Sequence, residues 1–395
     1  MDPRTGLPVV GMVGGGQLAR MTHQAAIALG QSLRVLAVTA DEPAPLVAPG
    51  VDIGSHTDLA ALRVFAAGCD VVTLDHEHVP TEHLRALVAD GVTVHPGPDA
   101  LIHAQDKLVM RRRLAELGIP VPPFAPVNSL ADLTKFADEH GWPCVLKATR
   151  GGYDGRGVWI VRSPADAQPV IDSGTVLLVE EMVAMRRELA ALVARSPFGQ
   201  GACWPVVETV QSDGICVEVI APAPDLAPAR ADETQRLALR VAGELGVVGV
   251  LAVELFDTGN GLVVNELAMR PHNSGHWTID GAVTSQFEQH IRAVLDYPLG
   301  ATDALAPVTV MANVLGAGQS DVMPIDERLH HLFARLGNVK VHLYGKAERP
   351  GRKIGHVTVL GSELPSVRRT AALAAHWLSS GRWADGYDIH AGERA

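Results

Sequence analysis

The sequence predicts a mixed protein, α/β in its first part and α+β in the remainder. An apolar strand at 9–13 runs through a glycine-rich turn into a helix, and strands and helices then alternate. Further along, apolar strands at 251–256 and 262–267 flank a turn rich in glycine, which is typical of an antiparallel hairpin. At 395 residues the chain is long enough for two or three domains.

The composition argues against several classes of function. The formal net charge of −11 argues against a general nucleic-acid binder, although it is compatible with a local basic pocket. Four cysteines have no CxxC or zinc-like spacing, which favours reduced thiols and a cytoplasmic location. No window of eighteen apolar residues occurs and the first residues lack a signal-peptide pattern, so no membrane span is expected.

The turn after the first strand, residues 14–19, is called the glycine turn below. Gly14, Gly16 and Ala19 match a G-x-G-x-x-A pattern, in which the backbone approaches an anion at a helix N-terminus. A second strand at 34–39 ends near Asp41, where a dinucleotide fold places its ribose acid. Two interpretations stay open at this point: a nicotinamide site, or a tight turn that only permits helix packing.

Three histidines and an acid follow the strand predicted at 71–74. A metal centre is not favoured, because Pro80 interrupts the run and no cysteine or further carboxylate completes a coordination shell. Glu77 lies near the carboxyl end of a strand, where open α/β sheets bind ligands. A helix at 57–67 precedes this strand, and a strand at 92–95 closes the domain. The three histidines are His76, His78 and His83.

A basic helix begins at Gln105 and carries Lys107 in its first turn. We interpret its three consecutive arginines as a solvated face, with at most a minor role near phosphate. A helix at 129–140 then leads to a strand at 144–148, which carries Lys147. The arginines are Arg111, Arg112 and Arg113.

The segment 149–157, called the glycine loop below, joins that strand to a return strand at 158–161. Residues 151–157 contain four glycines, so the loop exposes backbone N–H groups and can close over a phosphate chain as a lid. Lys147, directly before it, would place a positive charge on the phosphates. The alternative is an ordinary flexible hairpin.

The next strand, 176–179, runs into four residues whose backbone is suited to contact an adenine edge. Glu188 follows shortly after and could accept both ribose hydroxyls. The alternative is that these acids belong to the surface.

The hairpin at 251–267 carries one acid on each strand. With a five-residue loop, Glu254 should lie opposite residue 264, and Glu266 diagonally across on the same face. Two such carboxylates repel each other, and burying their charges is unfavourable. A divalent cation such as Mg²⁺ offsets both the repulsion and the cost of burial. A surface hairpin with two solvated acids is the alternative. The loop at 270–276 then offers a dense run of donors for an anionic or sugar-like ligand.

The remaining elements are predicted at 233–245, 285–295 and 326–336 for helices and at 308–315 and 339–344 for strands. A glycine-rich hairpin then carries a cluster of basic residues. In an acidic protein, a ligand phosphate explains such a cluster, and a solubilising turn is the alternative. The basic residues include Lys346, Arg352 and Lys353.

This order of features resembles the ATP-grasp superfamily. More narrowly, the segments GGGQLARM, GGYDGRGV, NELAMRPHNSGHWT, FEQHIRAV and RPGRKIGHVTV resemble the 5-(carboxyamino)imidazole ribonucleotide synthase family, over essentially the whole chain. The resemblance implies an ATP-grasp fold. It would have an N-terminal Rossmann-like (pre-ATP-grasp) domain at 1–104, a flexible glycine-loop lid domain at 105–180 and a C-terminal mixed-sheet domain at 181–395.

The resemblance also implies the reaction. ATP and bicarbonate would carboxylate 5-aminoimidazole ribonucleotide to its N5-carbamate through carboxyphosphate, releasing ADP and phosphate, in de novo purine (IMP) biosynthesis. Mg²⁺, or Mn²⁺ in its place, would be the metal, and no biotin is expected. The enzyme would be a cytoplasmic homodimer without nucleic-acid or membrane partners.

The resemblance also implies roles for individual residues, which are assigned by their positions in the matching motifs. ATP would be bound by Lys107, Lys147, Gly152, Tyr153, Asp154, Gly155, Arg156, Gly157, Val158, Glu180, Glu181, Met182, Val183, Glu188, Gln211, Asn265 and Glu266. The metal would be bound by Glu254 and Glu266. The acceptor nucleotide would be bound by Glu77, Tyr153, Asp154, Arg270, His272, Asn273, Lys346, Arg352 and Lys353, and the catalytic residues would be Lys147, Asp154 and Arg270.

Two positions depart from the family pattern. Met269 stands where a proline is frequent, which should alter packing and not charge. Gln211 stands where a histidine near the adenine is frequent, so its adenine contact is in doubt. Other interpretations remain open: a different ATP-grasp carboxylate–amine ligase, or a non-catalytic nucleotide-binding regulator.

Overall fold

The structure is a computed structural model that describes residues 1–152, 155–318 and 323–388. Its first sheet is parallel, with the order β3-β2-β1-β4, as the predicted α/β alternation requires. The strands are β1 (Val9–Val13), β2 (Ser32–Ala37), β3 (Gly50–Ile53) and β4 (Val71–Leu74). Their helices are α1 (Gln17–Ala28), α2 (Leu59–Ala66), α3 (Thr81–Ala89), α4 (Pro98–Gln105) and α5 (Lys107–Glu116).

Two predictions for this part of the chain were wrong in detail. The strand expected at 92–95 is reduced to a single parallel bridge between Val72 and Val94. The basic helix is separated from α4 at Asp106, whose carboxylate accepts the N–H groups of Leu108 and Val109 and so begins α5. Lys107 is therefore the first helical residue of α5, at a fixed position.

A second, antiparallel sheet has the order β5-β8-β6-β7 and is covered by two helices. It has a separate small core, built from residues such as Leu133, Leu146 and Val179. The glycine loop joins β6 to β7. The elements are β5 (Phe124–Val127), α6 (Leu130–His140), β6 (Cys144–Ala148), β7 (Val158–Val161), α7 (Pro164–Asp172) and β8 (Leu177–Glu181).

The third sheet is antiparallel and contains nine strands among the described residues, in the order β14-β13-β9-β11-β12-β15-β17-β16, with β10 beside β9. The strands are β9 (Arg187–Arg195), β10 (Gly201–Cys203), β11 (Val207–Ser212), β12 (Ile215–Ala221), β13 (Gly249–Asp257), β14 (Leu262–Ala268), β15 (Val308–Leu315), β16 (Lys340–Leu343) and β17 (Lys353–Gly361). The helices are α8 (Pro228–Glu244), α9 (Thr278–Gly281), α10 (Gln286–Val294), α11 (Ile325–Arg335) and α12 (Leu364–Ser380).

The first and third sheets share their packing, whereas the second sheet does not. Leu74, Met110 and Val253 belong to one continuous core that spans the first domain, α5 and the third sheet. His290 on α10 adds a polar link: its Nδ1 accepts the Val250 N–H (3.1 Å), so Nε2–H is left to donate to the Thr73 hydroxyl (2.7 Å). The first domain is therefore held firmly against the hairpin that carries the two acids.

No helix in the described ranges is long and apolar enough to cross a membrane.

Candidate active site

The acid hairpin, β13 and β14, has a different register from the one predicted. Glu254 lies directly opposite Glu266, while Leu255 pairs with Val264, so Asn265 is an extra residue in a β-bulge. The predicted diagonal arrangement was wrong. The two carboxylates are closer to each other than expected, and the bulge changes the direction of the Asn265 side chain.

The acids that lie close together in this hairpin change the pKa of Glu254. Burial, together with the charges of Glu266 and Glu188, raises the pKa of Glu254 to about 8. Within the described ranges no group of three or more histidine, cysteine or acidic side chains forms a metal site. Mg²⁺ does not require one, because it commonly takes one or two carboxylates and completes its shell with substrate phosphates and water. The donor set therefore fits Mg²⁺ bound together with a nucleotide.

Two lysines converge on the same hairpin. Lys107 Nζ lies 2.7 Å from Glu266 Oε1. Lys147 Nζ lies 2.8 Å from Glu180 Oε2 and 3.0 Å from Asn265 Oδ1. Both lysines are largely buried, with side chains 11% and 9% exposed. Such buried cations beside a carboxylate pair are suited to a polyanionic ligand.

Arg111 completes this cluster, and the prediction of a solvated arginine face was wrong for it. Its guanidinium is fully buried and donates from Nε to Glu180 Oε1 and from Nη2 to the Asn265 carbonyl, both at 2.7 Å. Arg112, by contrast, is exposed. A signal was present in the sequence, because Arg111 shares a helical face with Leu114, three residues later.

The cluster fixes the charge of Glu180. Burial alone would raise the pKa of Glu180, but Lys147 and Arg111 outweigh burial and hold that pKa below its usual value. Burial lowers the pKa of Lys147, and Glu180 opposes this change. The Glu180 carboxylate is thus occupied by two cations, so only its backbone is available for the adenine contact that we predicted.

The segment after β8 contains residues that we predicted to contact the adenine. The Glu181 N–H donates to the Pro123 carbonyl (3.0 Å), and its carboxylate lies 3.3 Å from His140. Residues 182–185 form no regular structure, and Met182 is exposed. Val183 belongs to this same irregular segment. It leaves backbone N–H and C=O groups free of sheet pairing beside an apolar side chain.

Glu188 and Gln211 contact each other on neighbouring strands β9 and β11. Gln211 Nε2 donates to Glu188 Oε2 at 3.1 Å. Burial raises the pKa of Glu188, although this hydrogen bond works against the rise. Gln211 therefore lies on the acid predicted to accept the ribose hydroxyls.

The structure describes the glycine loop at 149–152 and from Gly155 onward, while Tyr153 and Asp154 lie outside the described residues. The Ala148 N–H donates to the Gly157 carbonyl (2.8 Å), so the base of the loop is closed. At its tip, Gly155 lies against Gly214 in the turn between β11 and β12: a Cβ on Gly214 would be 3.1 Å from the Gly155 Cα. Arg156 and Val158 follow directly and lead into β7.

The loop that follows the acid hairpin faces the first domain. Arg270 Nε donates to Glu77 Oε2 at 2.8 Å, as part of an ion pair between domains. Glu77 Oε1 is buried and contacts no donor among the described residues. Sequence reasoning missed Gln286, which clamps the loop by accepting the His272 N–H and donating to the His272 carbonyl, both at 2.8 Å. Glu77 and Arg270 thus form one wall with an unused acceptor.

His272 joins this wall to the acid pair. Its Nδ1 accepts the Ser274 N–H (3.3 Å), and its Nε2 lies 3.4 Å from Glu254 Oε1. Burial, with Arg270 and Lys353 adding to it, lowers the pKa of His272 to about 3. His272 is therefore neutral and presents Nε2–H towards Glu254. Asn273 follows it and lies against the Cys216 thiol.

The basic hairpin reaches the site from the third sheet. Lys346 Nζ contacts Gln17 Oε1 at the start of α1. Lys353 lies close enough to Glu254 for its charge to oppose the rise of that pKa. Arg352 Nη1 donates to the Ala347 carbonyl (3.2 Å) within the hairpin itself. Two of the three predicted cations therefore face the space between the first domain and the acid hairpin.

The glycine turn does not offer the anion site that its pattern suggests. The N–H groups of Gly16 and Ala19 donate to the two carboxylate oxygens of Asp75, at 2.7 and 2.9 Å. The Gly15 N–H donates to Glu42 (3.1 Å). Because protein carboxylates already occupy these donors, the packing interpretation holds and the nicotinamide interpretation does not.

Two of the three histidines after β4, His76 and His78, form a ring contact with each other, and His76 also contacts His56, which precedes α2. The ring centroid of His76 lies 4.6 Å from that of His56 and 5.1 Å from that of His78. Burial lowers the pKa of His76 to about 3, with the neighbouring histidines adding to the effect.

Comparison with known proteins decides the family. The chain is 67% identical over 388 residues to the N5-carboxyaminoimidazole ribonucleotide synthase of Mycobacterium tuberculosis (strain ATCC 25618 / H37Rv), covering 97% of this chain and 90% of that protein. The chain belongs to the N5-carboxyaminoimidazole ribonucleotide synthase family. The predicted family is thereby confirmed.

Family models cover most of the sequence of this synthase-family member. A ribonucleotide synthetase preATP-grasp domain matches residues 7–105, an ATP-grasp domain matches 112–287, and a phosphoribosylaminoimidazole carboxylase C-terminal domain matches 309–370. The predicted fold class, an ATP-grasp fold with a preceding Rossmann-like domain, is confirmed.

Solved structures of the family share the whole architecture. The N5-carboxyaminoimidazole ribonucleotide synthetase of Thermus thermophilus has a TM-score of 0.84 and 37% identity, covering 95% of this chain and 99% of that one. The Aspergillus clavatus synthase in complex with ADP and 5-aminoimidazole ribonucleotide has a TM-score of 0.86 and 32% identity, covering 94% and 98%.

Proposed function

We propose that this chain is an ATP-dependent carbon–nitrogen ligase. It carboxylates 5-aminoimidazole ribonucleotide with bicarbonate, yielding N5-carboxyaminoimidazole ribonucleotide, ADP and phosphate in purine biosynthesis. The observation that carries the proposal is the juxtaposition of two different binding surfaces. Lys107 and Lys147 face the Glu254–Glu266 pair, and the Arg270–Glu77 wall adjoins that pair through His272.

The first surface suits ATP. In this proposal Lys107 and Lys147 contact the phosphates, the glycine loop covers them, and residues 180–183 and Glu188 hold the adenosine. The fit of Glu254 and Glu266 to Mg²⁺ assigns them as its ligands. When bound, the ion would neutralise charge on the transferring phosphoryl group.

The second surface suits the acceptor nucleotide. Glu77 Oε1 is an unused acceptor placed for a ribose hydroxyl, since Arg270 already binds the other oxygen. Lys346, Arg352 and Lys353 would bind the phosphate. Tyr153 and Asp154 are assigned to the acceptor by the family resemblance.

The chemistry divides between these surfaces. Bicarbonate is a poor electrophile, so an oxygen of bicarbonate first attacks the γ-phosphorus of ATP, and ADP leaves. The resulting carboxyphosphate, or the CO₂ that it releases with phosphate, is attacked by the exocyclic amine, whose proton passes to Asp154 or to phosphate. Lys147 and the loop N–H groups stabilise the transferring phosphoryl, and closure of the loop keeps water away from the reactive intermediate.

A homodimer, a cytoplasmic location, and Mg²⁺ with Mn²⁺ as its substitute belong to the same proposal, on the basis of the family resemblance. Sedimentation velocity of the purified protein tests the dimer, and titration of each metal against turnover tests the metal.

A coupled ADP assay tests the reaction. ADP release should require both 5-aminoimidazole ribonucleotide and bicarbonate. Release with another amine in place of the imidazole nucleotide would instead indicate a different carboxylate–amine ligase. Nucleotide binding without any ADP release would indicate a regulator.

A further inference from the structure

Four polar residues next to the site, Arg111, Glu180, Lys147 and Asn265, form a closed ring of contacts. Arg111 contacts both Glu180 and the Asn265 carbonyl at 2.7 Å. Lys147 contacts the other Glu180 oxygen at 2.8 Å and Asn265 Oδ1 at 3.0 Å. Each member therefore touches two others, and Arg111 reaches the acid hairpin through the Asn265 carbonyl.

The ring joins three separately built parts of the fold. Arg111 is on α5, Lys147 and Glu180 are on strands of the second sheet, and Asn265 is in the bulge of the acid hairpin. Since the second sheet has its own core, polar contacts of this kind set its position relative to the acid hairpin. A guanidinium suits this task, because its planar donors are fixed relative to each other.

The ring carries an unbalanced charge. It contains two cations and one carboxylate, and Arg111 cannot lose its proton. Burying a surplus charge is costly unless an opposite charge compensates it. Glu180 divides its two oxygens between Arg111 and Lys147, so it does not neutralise either one fully. A surplus positive charge therefore remains within the ring. The charge of Glu266 also acts on Lys147, but Glu266 is itself paired with Lys107 at 2.7 Å and so compensates that surplus only in part.

We propose that Arg111 is a positioning residue for the nucleotide. By binding Glu180 and the Asn265 carbonyl, Arg111 fixes the direction of the Lys147 side chain. It also leaves Lys147 with positive charge that Glu180 does not neutralise, and this charge is available to an anionic ligand. Arg111 is fully buried, so in this proposal it acts through these contacts and not by touching the substrate. The proposal rests on the proposed function only in taking a nucleoside polyphosphate as that ligand.

Arg111→Met removes both arms of the guanidinium and leaves Glu180 free to neutralise Lys147. We expect ADP affinity, measured by titration calorimetry with Mg²⁺, to fall about tenfold or more, the scale of a lost charged hydrogen bond. KM for ATP should rise with it, while KM for 5-aminoimidazole ribonucleotide stays unchanged. Arg112→Met is the matched control, since it removes the same charge from an exposed position on the same helix. It should behave as wild type.

Three further variants distinguish a positioning role of Arg111 from a purely stabilising one. Arg111→Lys keeps the charge but cannot reach Glu180 and the Asn265 carbonyl together, so its ADP affinity should lie between those of wild type and Arg111→Met. Glu180→Gln and the double variant complete a cycle. If Arg111 acts through Glu180, the two losses in ADP affinity should be clearly non-additive.

Wild-type ADP affinity in folded Arg111→Met, or in Arg111→Lys if the methionine variant does not fold, would overturn the proposal. So would additive losses in the cycle. ADP binding needs no acceptor, so the two proposals fail separately. A wild-type protein inactive towards 5-aminoimidazole ribonucleotide, with an ADP affinity that still depends on Arg111, would contradict the proposed function alone.

Discussion

The glycine turn at 14–19 and the glycine loop at 149–157 look alike in the sequence but differ in the structure. In the turn, the N–H groups of Gly16 and Ala19 are occupied by the carboxylate of Asp75. The loop instead lies beside Lys147, and the hydrogen bond from the Ala148 N–H to the Gly157 carbonyl closes its base. The comparison shows that a glycine pattern predicts exposed donors, whereas only the fold shows whether the protein itself already satisfies them.

The largest effect should come from Glu266, the acid of the proposed metal pair that contacts Lys107. Glu266→Gln keeps the size of the side chain but removes a hard anionic oxygen and the partner of Lys107 (2.7 Å). We expect Mg²⁺-dependent ADP release to fall by about a hundredfold or more, the scale of a lost electrostatic contact in an active site. The measurement is the coupled ADP assay at saturating Mg²⁺.

Glu244→Gln, which changes an exposed acid at the end of α8, is the control and should retain full activity. Activity in Glu266→Gln equal to that of the control would contradict the assignment of the acid pair to the metal.

The corresponding change at the turn should affect stability and not the nucleotide. Asp75→Ala leaves the N–H groups of Gly16 and Ala19 without acceptors. We expect a loss of about 1–3 kcal/mol in the free energy of unfolding, measured with urea, because buried donors then lack partners. ADP affinity should stay at the wild-type value. Weakened ADP binding in folded protein would show that the turn takes part in the nucleotide site after all.

Much of the fold could be predicted from the sequence, because a short apolar run bounded by turn residues is consistent with few structures other than a buried strand. The predicted strands at 9–13, 71–74, 144–148, 158–161 and 308–315 have the observed bounds. The helix at 364–380 was missed, although its buried residues Val367, Ala371 and Leu378 recur at helical spacing. The buried face of this helix is rich in alanine, which is only weakly apolar, so its periodicity is difficult to recognise in the sequence.

The site was less predictable, since its details depend on contacts between distant segments. The bulge that places Glu254 opposite Glu266 depends on the partners of Asn265, which come from α5 and β6. The burial of Arg111 depends on the same contacts. Local sequence contains the residue types and an approximate helical face, but it does not contain the partner that accepts each donor.

A third experiment uses the pKa of Glu254, which stands at about 8 in the folded protein against an ordinary value of 4.5. A raised folded-state pKa means that the folded protein loses stability as pH rises between those two values. Without metal, Glu254→Gln should therefore be more stable than wild type at about pH 8.5 and nearly equal to it at about pH 4.5. The full pKa difference corresponds to about 5 kcal/mol, but the Glu254 side chain is 29% exposed to water, so we expect an advantage on the order of 1–2 kcal/mol.

Urea unfolding in the presence of a chelator at both pH values makes this measurement. An advantage of the variant that shrinks as pH rises would contradict the account of two crowded carboxylates.

The smallest effect should come from the contact at the tip of the glycine loop. Gly214→Ala would place a Cβ 3.1 Å from the Gly155 Cα and should hinder closure of the loop. We expect KM for ATP to rise by about threefold to tenfold, equivalent to about 1 kcal/mol. Gly174→Ala is a matched control: Gly174 has a similar positive φ of 75°, against 76° for Gly214, but open space around it. Equal effects of both variants would trace the change to backbone strain instead of closure.

The most direct test of the whole account follows the carbon atom. With ¹³C-bicarbonate, ATP, Mg²⁺ and 5-aminoimidazole ribonucleotide, NMR should show a labelled carbamate on the exocyclic nitrogen, formed in step with ADP and in equal amount. ADP formation without labelled carbamate, or at the same rate when the imidazole nucleotide is omitted, would contradict it.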